Sequence, residues 1–119
     1  MNADDHGLRI DDYLAHMLEG AQLVRKYVDG MSKEEFIQDR RTQQAVILNL
    51  IVVGEAATRL CGGHEEFVSK HPEIPWRQMR GMRNRMAHGY FDINLDVVWE
   101  TIQVSLPELE VRLLQLRGS

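Results

Sequence analysis

Apolar positions recur at helical spacing through almost the whole chain. Ile10, Leu14, Met17, Ala21, Val24 and Val28 follow in alternating steps of four and three. That seam predicts a helix over about 8–29, packed against antiparallel neighbours. Gly30 is placed to end it, and Ser32-Lys33-Glu34-Glu35 has the spacing of a capping box that opens a short helix. Asp39 is placed to cap the next helix, over about 40–60. From Ala45 to Ala57 that helix is apolar nearly all round. Such a helix is buried on more than one side, which in a short chain predicts core on one face and a second subunit on the other. Gly54 allows close helix approach, and Asn49 and Glu55 are polar residues in this apolar setting that need specific partners.

Gly62-Gly63 is expected to stop the helix, with one or two further turns over 64–70. His71-Pro72-Glu73-Ile74-Pro75 reads as a stiff connection, because each proline biases the preceding residue away from helix. A helix over about 75–88 follows, then a turn through Tyr90–Asn94 and a last helix capped by Asn94. Leu95, Val98, Ile102, Leu106, Leu109, Leu113 and Leu116 line its inner face, and Pro107 should kink or split it near Ser105. No strand pattern, repeat or low-complexity tract interrupts the series. The expected fold is all-α, an up-and-down bundle of four to five helices forming one domain across 1–119. The first six residues are polar and expected to fray.

The stretch Trp76 to Tyr90, W-R-Q-M-R-G-M-R-N-R-M-A-H-G-Y, is different in kind. It carries four arginines, and no acidic residue lies between Glu73 and Asp92. Pro75 suits a first helical turn and Gly89 a left-handed stop. At about 100° per residue, Arg77, Gly81, Asn84 and His88 share one face, while Met79, Met82 and Met86 share the opposite one. Arg83 projects beside the apolar stripe. A guanidinium there is partly desolvated and needs an anionic partner, either a structural carboxylate such as Glu55 or a substrate phosphate. His88 lies in the last turn, where the negative end of the helix dipole favours a cation. Arg83 and His88 are about 140° apart on an ideal helix. Either the long arginine reaches round, or two copies of the helix face each other across a shared cleft.

Composition narrows the function classes. The formal net charge is −4, so without the four arginines of 77–85 it would be −8. Bulk charge argues against non-specific coating of nucleic acid, while the local cluster permits a focused anion site. One cysteine, Cys61, excludes an internal disulfide and fits a reducing, cytoplasmic setting. Cys61 reads as a small apolar residue and not a nucleophile. His64 and His71 flank Glu65-Glu66, a spacing that matches no helical zinc signature, so no metal and no cofactor is expected. No signal peptide is visible. The apolar run at 45–53 is interrupted by Asn49 and too short to cross a bilayer, so no membrane association is expected.

The residues Arg83, Asn84, His88 and Tyr90, with four residues between the arginine and the histidine and one between the histidine and the tyrosine, resemble the motif of the HEPN superfamily. G-M-R-N-R-M-A-H-G-Y-F-D-I-N-L-D-V-V-W-E, L-P-E-L-E, I-V-V-G-E-A-A at 51–57 and P-E-I-P-W at 72–76 are similar to the HepT-like toxins. The likeness covers nearly the whole chain, more loosely before about residue 40. It implies a homodimeric HEPN-like bundle and a metal-independent endoribonuclease toxin. His88 would be the general acid/base and Arg83 would hold the scissile phosphate, with Asn84 and Tyr90 supporting them. From charge and placement, Arg77, Arg80 and Arg85 would hold flanking phosphates of an RNA substrate. The resemblance further implies a MntA-like minimal nucleotidyltransferase antitoxin as partner, attaching AMP to Tyr90. The alternative is a non-catalytic subunit that presents nucleotide or RNA to such a nucleotidyltransferase.

Overall fold

A computed structural model describes residues 9–118. The expected fraying of residues 1–6 lies outside the described residues. Every regular element among the described residues is helical, with no strand. The elements are α1 (Ile10–Tyr27), α2 (Lys33–Gln38), α3 (Arg40–Gly63), α4 (Glu65–Lys70), α5 (Trp76–His88), a 3₁₀ turn (Tyr90–Asp92), α6 (Leu95–Glu100), a π-helical stretch (Thr101–Ser105) and α7 (Leu106–Arg117). The short α2 and α4 and the division of the last helix into α6 and α7 take the count beyond the four or five expected; the long members remain α1, α3, α5 and the α6–α7 arm.

Local chemistry sets most of the boundaries. Gly30 follows α1 with φ +80°, a conformation that glycine reaches without steric cost. The Ser32 hydroxyl accepts from Glu35 N at 3.1 Å and the Glu35 carboxylate accepts from Ser32 N at 2.8 Å, the reciprocal capping box. Asp39 accepts from Thr42 N at 3.1 Å and from the Thr42 hydroxyl at 2.9 Å, capping α3. These bonds, the backbone one foremost, hold the Asp39 carboxyl below its usual range. α3 ends at the Gly62-Gly63 pair, as expected. Its last residue is Gly63, and His64 N closes it on Leu60 O at 2.8 Å. Gly89, by contrast, is not left-handed, having φ −120° after α5. A 3₁₀ turn beginning at the next residue satisfies the chain there instead, with Asp92 N bonding to Gly89 O at 2.9 Å.

The core sits on α3, which packs against α1 on one side and α5 on another, while α7 packs on α1. Met17, Val24, Val46, Leu50, Val53, Ala57 and Leu60 are fully shut from solvent. Two glycines set the spacing of these helices. A Cβ on Gly20 would lie 2.8 Å from Val53 Cγ2, where α1 meets α3. A Cβ on Gly54 would lie 2.4 Å from Arg83 Cβ and 2.7 Å from Met79 O, where α3 meets α5. Asn49 finds its partner within α3, donating from Nδ2 to Ala45 O at 2.9 Å. The outer side of α3 carries Leu48 and Val52, 61% and 37% exposed. By length and composition α3 could cross a bilayer, more than the run at 45–53 suggested; 44% of its most apolar window is buried inside the bundle.

The last arm bears out the break anticipated at Pro107. Leu106 N bonds to Thr101 O, five residues back. Pro107 has no N–H to offer the carbonyl four residues before it, and the wider turn absorbs that loss. Across the bundle, Arg25 Nη1 on α1 donates to the nearly buried Glu110 Oε1 on α7 at 2.5 Å. No sequence signal marked that pair, whose members are 85 residues apart.

Candidate active site

α5 is held at three places. Trp76 packs at its start and donates from the indole N–H to His71 O at 2.9 Å. Met79 and Met86 are buried against the core, and Met82 is half-buried. Gly54 lets the α5 backbone lie directly on α3. With the methionine side fixed inward, the helical period turns Arg77, Arg80, Asn84, Arg85 and His88 outward, and all five are exposed. Among the described residues none of these five makes a side-chain hydrogen bond or an ion pair.

Arg83 is held differently. It emerges beside Gly54, and its side chain is only 22% exposed. Its Nε lies 3.4 Å from Glu55 Oε1, beyond hydrogen-bond length, and is buried without a hydrogen bond. The other oxygen, Glu55 Oε2, accepts from Arg59 Nε at 2.9 Å. Glu55 is therefore the carboxylate beside Arg83 that the sequence suggested, but it is shared. The structure thus brings Arg83 to Glu55 and leaves His88 at the exposed end of α5; among the described residues no side-chain hydrogen bond joins Arg83 or Asn84 to His88.

Beyond α5 the 3₁₀ turn presents Tyr90, half-exposed, and Phe91, 98% exposed. Their rings meet edge to face, with centroids 5.8 Å apart and planes at 80°. Asn94 ends the turn by accepting from Asp96 N at 2.9 Å and Val97 N at 3.2 Å, which caps α6. The opposite flank of α5 borders an apolar groove of about 510 Å³, lined by Met79, Met82, Met86, Ile93, Val97 and Val104 among others. Sequence reasoning named neither the groove nor Phe91. A phenylalanine three residues past a helix end, followed by Asp92 and Asn94, was a signal for an exposed ring. Among the described residues no group of three or more His, Cys, Asp and Glu side chains is placed to hold a metal ion.

Residues 17–116 match the family model described as HepT-like, ribonuclease HepT-like. The chain belongs to the HepT-like ribonuclease family. A protein of Thermococcus cleftensis named probable ribonuclease HepT is 36% identical over 106 residues, covering 89% of this chain and 94% of its own. A candidate RNase of Caldanaerobacter subterraneus is 36% identical over 104 residues, covering 87% of this chain and 90% of its own. A candidate RNase of Methanocaldococcus jannaschii is 35% identical over 95 residues, covering 80% and 76%. No solved structure matches the chain. Within a HepT-like ribonuclease, a helix whose exposed face is cationic and free of acids is the part of the surface suited to a polyanion. α5 is that helix.

Proposed function

We propose that this chain is the toxin of a toxin–antitoxin pair, a metal-independent endoribonuclease built on α5. The observation that carries the reading is Arg83, whose buried Nε makes no hydrogen bond and which leaves the core on the same helix that ends in exposed His88. RNA supplies its own nucleophile, the 2′-hydroxyl. His88 takes the proton from that hydroxyl or returns one to the leaving 5′-oxygen, work suited to an imidazole near neutral pH. Arg83 holds the scissile phosphate and stabilises the charge that develops on it. Asn84 orients the phosphate or the imidazole, and Arg77, Arg80 and Arg85 hold neighbouring phosphates.

The active unit in this reading is a homodimer, with two α5 helices lining one cleft. Exposed Leu48 and Val52 support it, since they lie in helical register with Glu55 on the outer side of α3, beside Arg83. A MntA-like nucleotidyltransferase antitoxin is the proposed regulator, transferring AMP to the Tyr90 hydroxyl. Tyr90 is accessible in the turn after α5, and AMP there would put bulk and negative charge beside His88.

The deciding experiment is RNA cleavage in EDTA by protein shown by mass spectrometry to carry no AMP on Tyr90. His88→Ala should lower the rate by about 10²–10⁴. Wild-type-like cleavage by His88→Ala would remove His88 from the mechanism. No cleavage by the unmodified wild type would favour the non-catalytic subunit of a nucleotidyltransferase complex.

The Glu55 contact favours a second reading in which Arg83 is purely structural. Stability separates the two. A structural arginine predicts that Arg83→Met unfolds more easily. A functional one, with its buried Nε lacking a hydrogen bond, predicts unchanged or higher stability together with a cleavage loss of roughly 10²–10³.

A further inference from the structure

Phe91 is almost wholly in solvent, whereas Phe36 is fully buried and Phe67 packs against the core. Burying a phenylalanine ring stabilises a fold, and here the fold forgoes that gain. The turn does not require an aromatic side chain at this position. Its geometry comes from backbone bonds, Asp92 N to Gly89 O, and from the Asn94 cap. Those anchors tie the turn to α5 on one side and α6 on the other, so Phe91 is displayed from a fixed position. Tyr90 meets it edge to face, an arrangement that leaves ring surface of Phe91 open.

The surroundings select the ligand. The turn follows directly on a 13-residue helix carrying four arginines and no acid, in a chain of net charge −4. An apolar protein partner would be met by an aliphatic patch, but Phe91 stands in the chain between Tyr90, whose ring meets it edge to face, and Asp92. The exposed aliphatic residues instead lie on α2, α3 and along α6–α7. Cations beside an aromatic ring with an open face are the two halves of a single-strand nucleic-acid site, with phosphates on one and an unpaired base on the other. His88 and Phe91 are three residues apart, so their Cα atoms are at most about 11 Å apart. A base held on Phe91 therefore belongs to a nucleotide at or next to the reacting phosphate.

We propose that Phe91 is a base-stacking subsite that holds an unpaired nucleobase of RNA beside the scissile bond. It is a positioning residue that selects single-stranded substrate and tolerates any base. The proposal rests on the ribonuclease reading for its cleavage readout but not for its binding readout.

The test uses the full chain without AMP on Tyr90, with Phe91→Ala, Phe91→Leu and Phe91→Trp. Binding is measured with a non-cleavable 2′-O-methyl single strand and with the same strand in a duplex, and cleavage is measured on the unmodified single strand. Losing one stacked base should weaken single-strand binding about five- to hundredfold in Phe91→Ala. Phe91→Leu should be nearly as weak, Phe91→Trp should match or exceed wild type, and duplex binding should not change. KM should rise in Phe91→Ala with kcat less affected. Cleavage by wild type with an unchanged KM in Phe91→Ala would overturn the subsite and leave the ribonuclease reading intact. Single-strand binding that is lost in Phe91→Ala without any cleavage by wild type would do the reverse. Full affinity in Phe91→Leu, or a change in oligomeric mass by light scattering in Phe91→Ala, would show that the ring makes an apolar protein contact and refute stacking.

Discussion

Replacing Gly54 with alanine tests whether one missing side chain holds α3 and α5 together. The added Cβ would sit 2.4 Å from Arg83 Cβ, 2.7 Å from Met79 O and 3.2 Å from Arg83 Cγ. Carbon contacts settle near about 3.5–4.0 Å, so the helices must separate by roughly 1 Å. The two nearest atoms are a backbone oxygen and a Cβ, and neither can swing aside. Overpacking of this kind costs about 1–3 kcal/mol, and the rigidity of these atoms places Gly54→Ala at the upper end. Alanine returns about 0.8–1.0 kcal/mol in helix propensity. The net loss is about 2 kcal/mol. With a urea m-value of about 1–3 kcal/mol/M, the midpoint should fall by roughly 1 M at unchanged m. Gly62 is the internal control. It lies in the last turn of the same helix, and a Cβ there meets nothing within 4 Å. Gly62→Ala should therefore raise the stability by about 0.5–1 kcal/mol, and the midpoint with it. Urea unfolding followed by far-ultraviolet circular dichroism reads both. A Gly54→Ala midpoint at or above wild type would refute the close approach of α3 to α5.

Further outcomes are expected elsewhere in the fold. Arg25→Met should destabilise more than Glu110→Gln, because it strands a carboxylate that is 11% exposed while the freed guanidinium of the other variant, 48% exposed, returns to water. That exposure should hold the Arg25→Met loss to about 1–2 kcal/mol, read by thermal melting. Asp39→Ala should lower the melting temperature near neutral pH. The Asp39 carboxyl is held below its ordinary value of 3.8, so its contribution is complete above that value and drains away as pH falls through the lowered folded value. The gap between Asp39→Ala and wild type should accordingly narrow in melts taken at pH 3 and below, and a gap independent of pH would refute the capping role. Trp76→Phe should lower the melting temperature slightly by leaving His71 O without the indole donor, an effect that should be absent if solvent replaces it.

The elements that sequence disclosed are those governed by local rules. The seam of α1 buries Leu14, Met17, Ala21, Val24 and Val28, as its steps of four and three require, and the caps at Ser32, Asp39 and Asn94 form as their side chains dictate. The glycine rules held at Gly62-Gly63, where α3 ends, and misled at Gly89, which follows α5 with φ −120° and not in the left-handed region. The helical wheel correctly sorted α5 into a methionine face and an outward face. It also set Arg83 apart from Asn84 and His88, and Glu55 does stand against it. What it could not show is that Glu55 is shared with Arg59, since that depends on how α3 and α5 cross. The Arg25–Glu110 pair and the groove beside α5 were hidden for the same reason, being made by elements far apart in the chain.

The π-helical stretch at Thr101–Ser105 has a consequence for how the chain can vary in length. The inner seam of the last arm steps by three or four residues, but Val98, Ile102 and Leu106 are separated by two fours in succession. That irregular interval is the sequence trace of the wider turn. The turn therefore works as a phase shifter between two rigid rods. Removing a single residue there, such as Gln103, would rotate everything beyond it by about 100° relative to α6. Leu109 and Leu113 would turn away from the interior, and the exposed Val111 and Leu114 would be driven toward it. In this region a one-residue indel is a rotation of the whole carboxyl-terminal rod, so length polymorphism should be tolerated in the connection around Gly30 and selected against between Thr101 and Ser105.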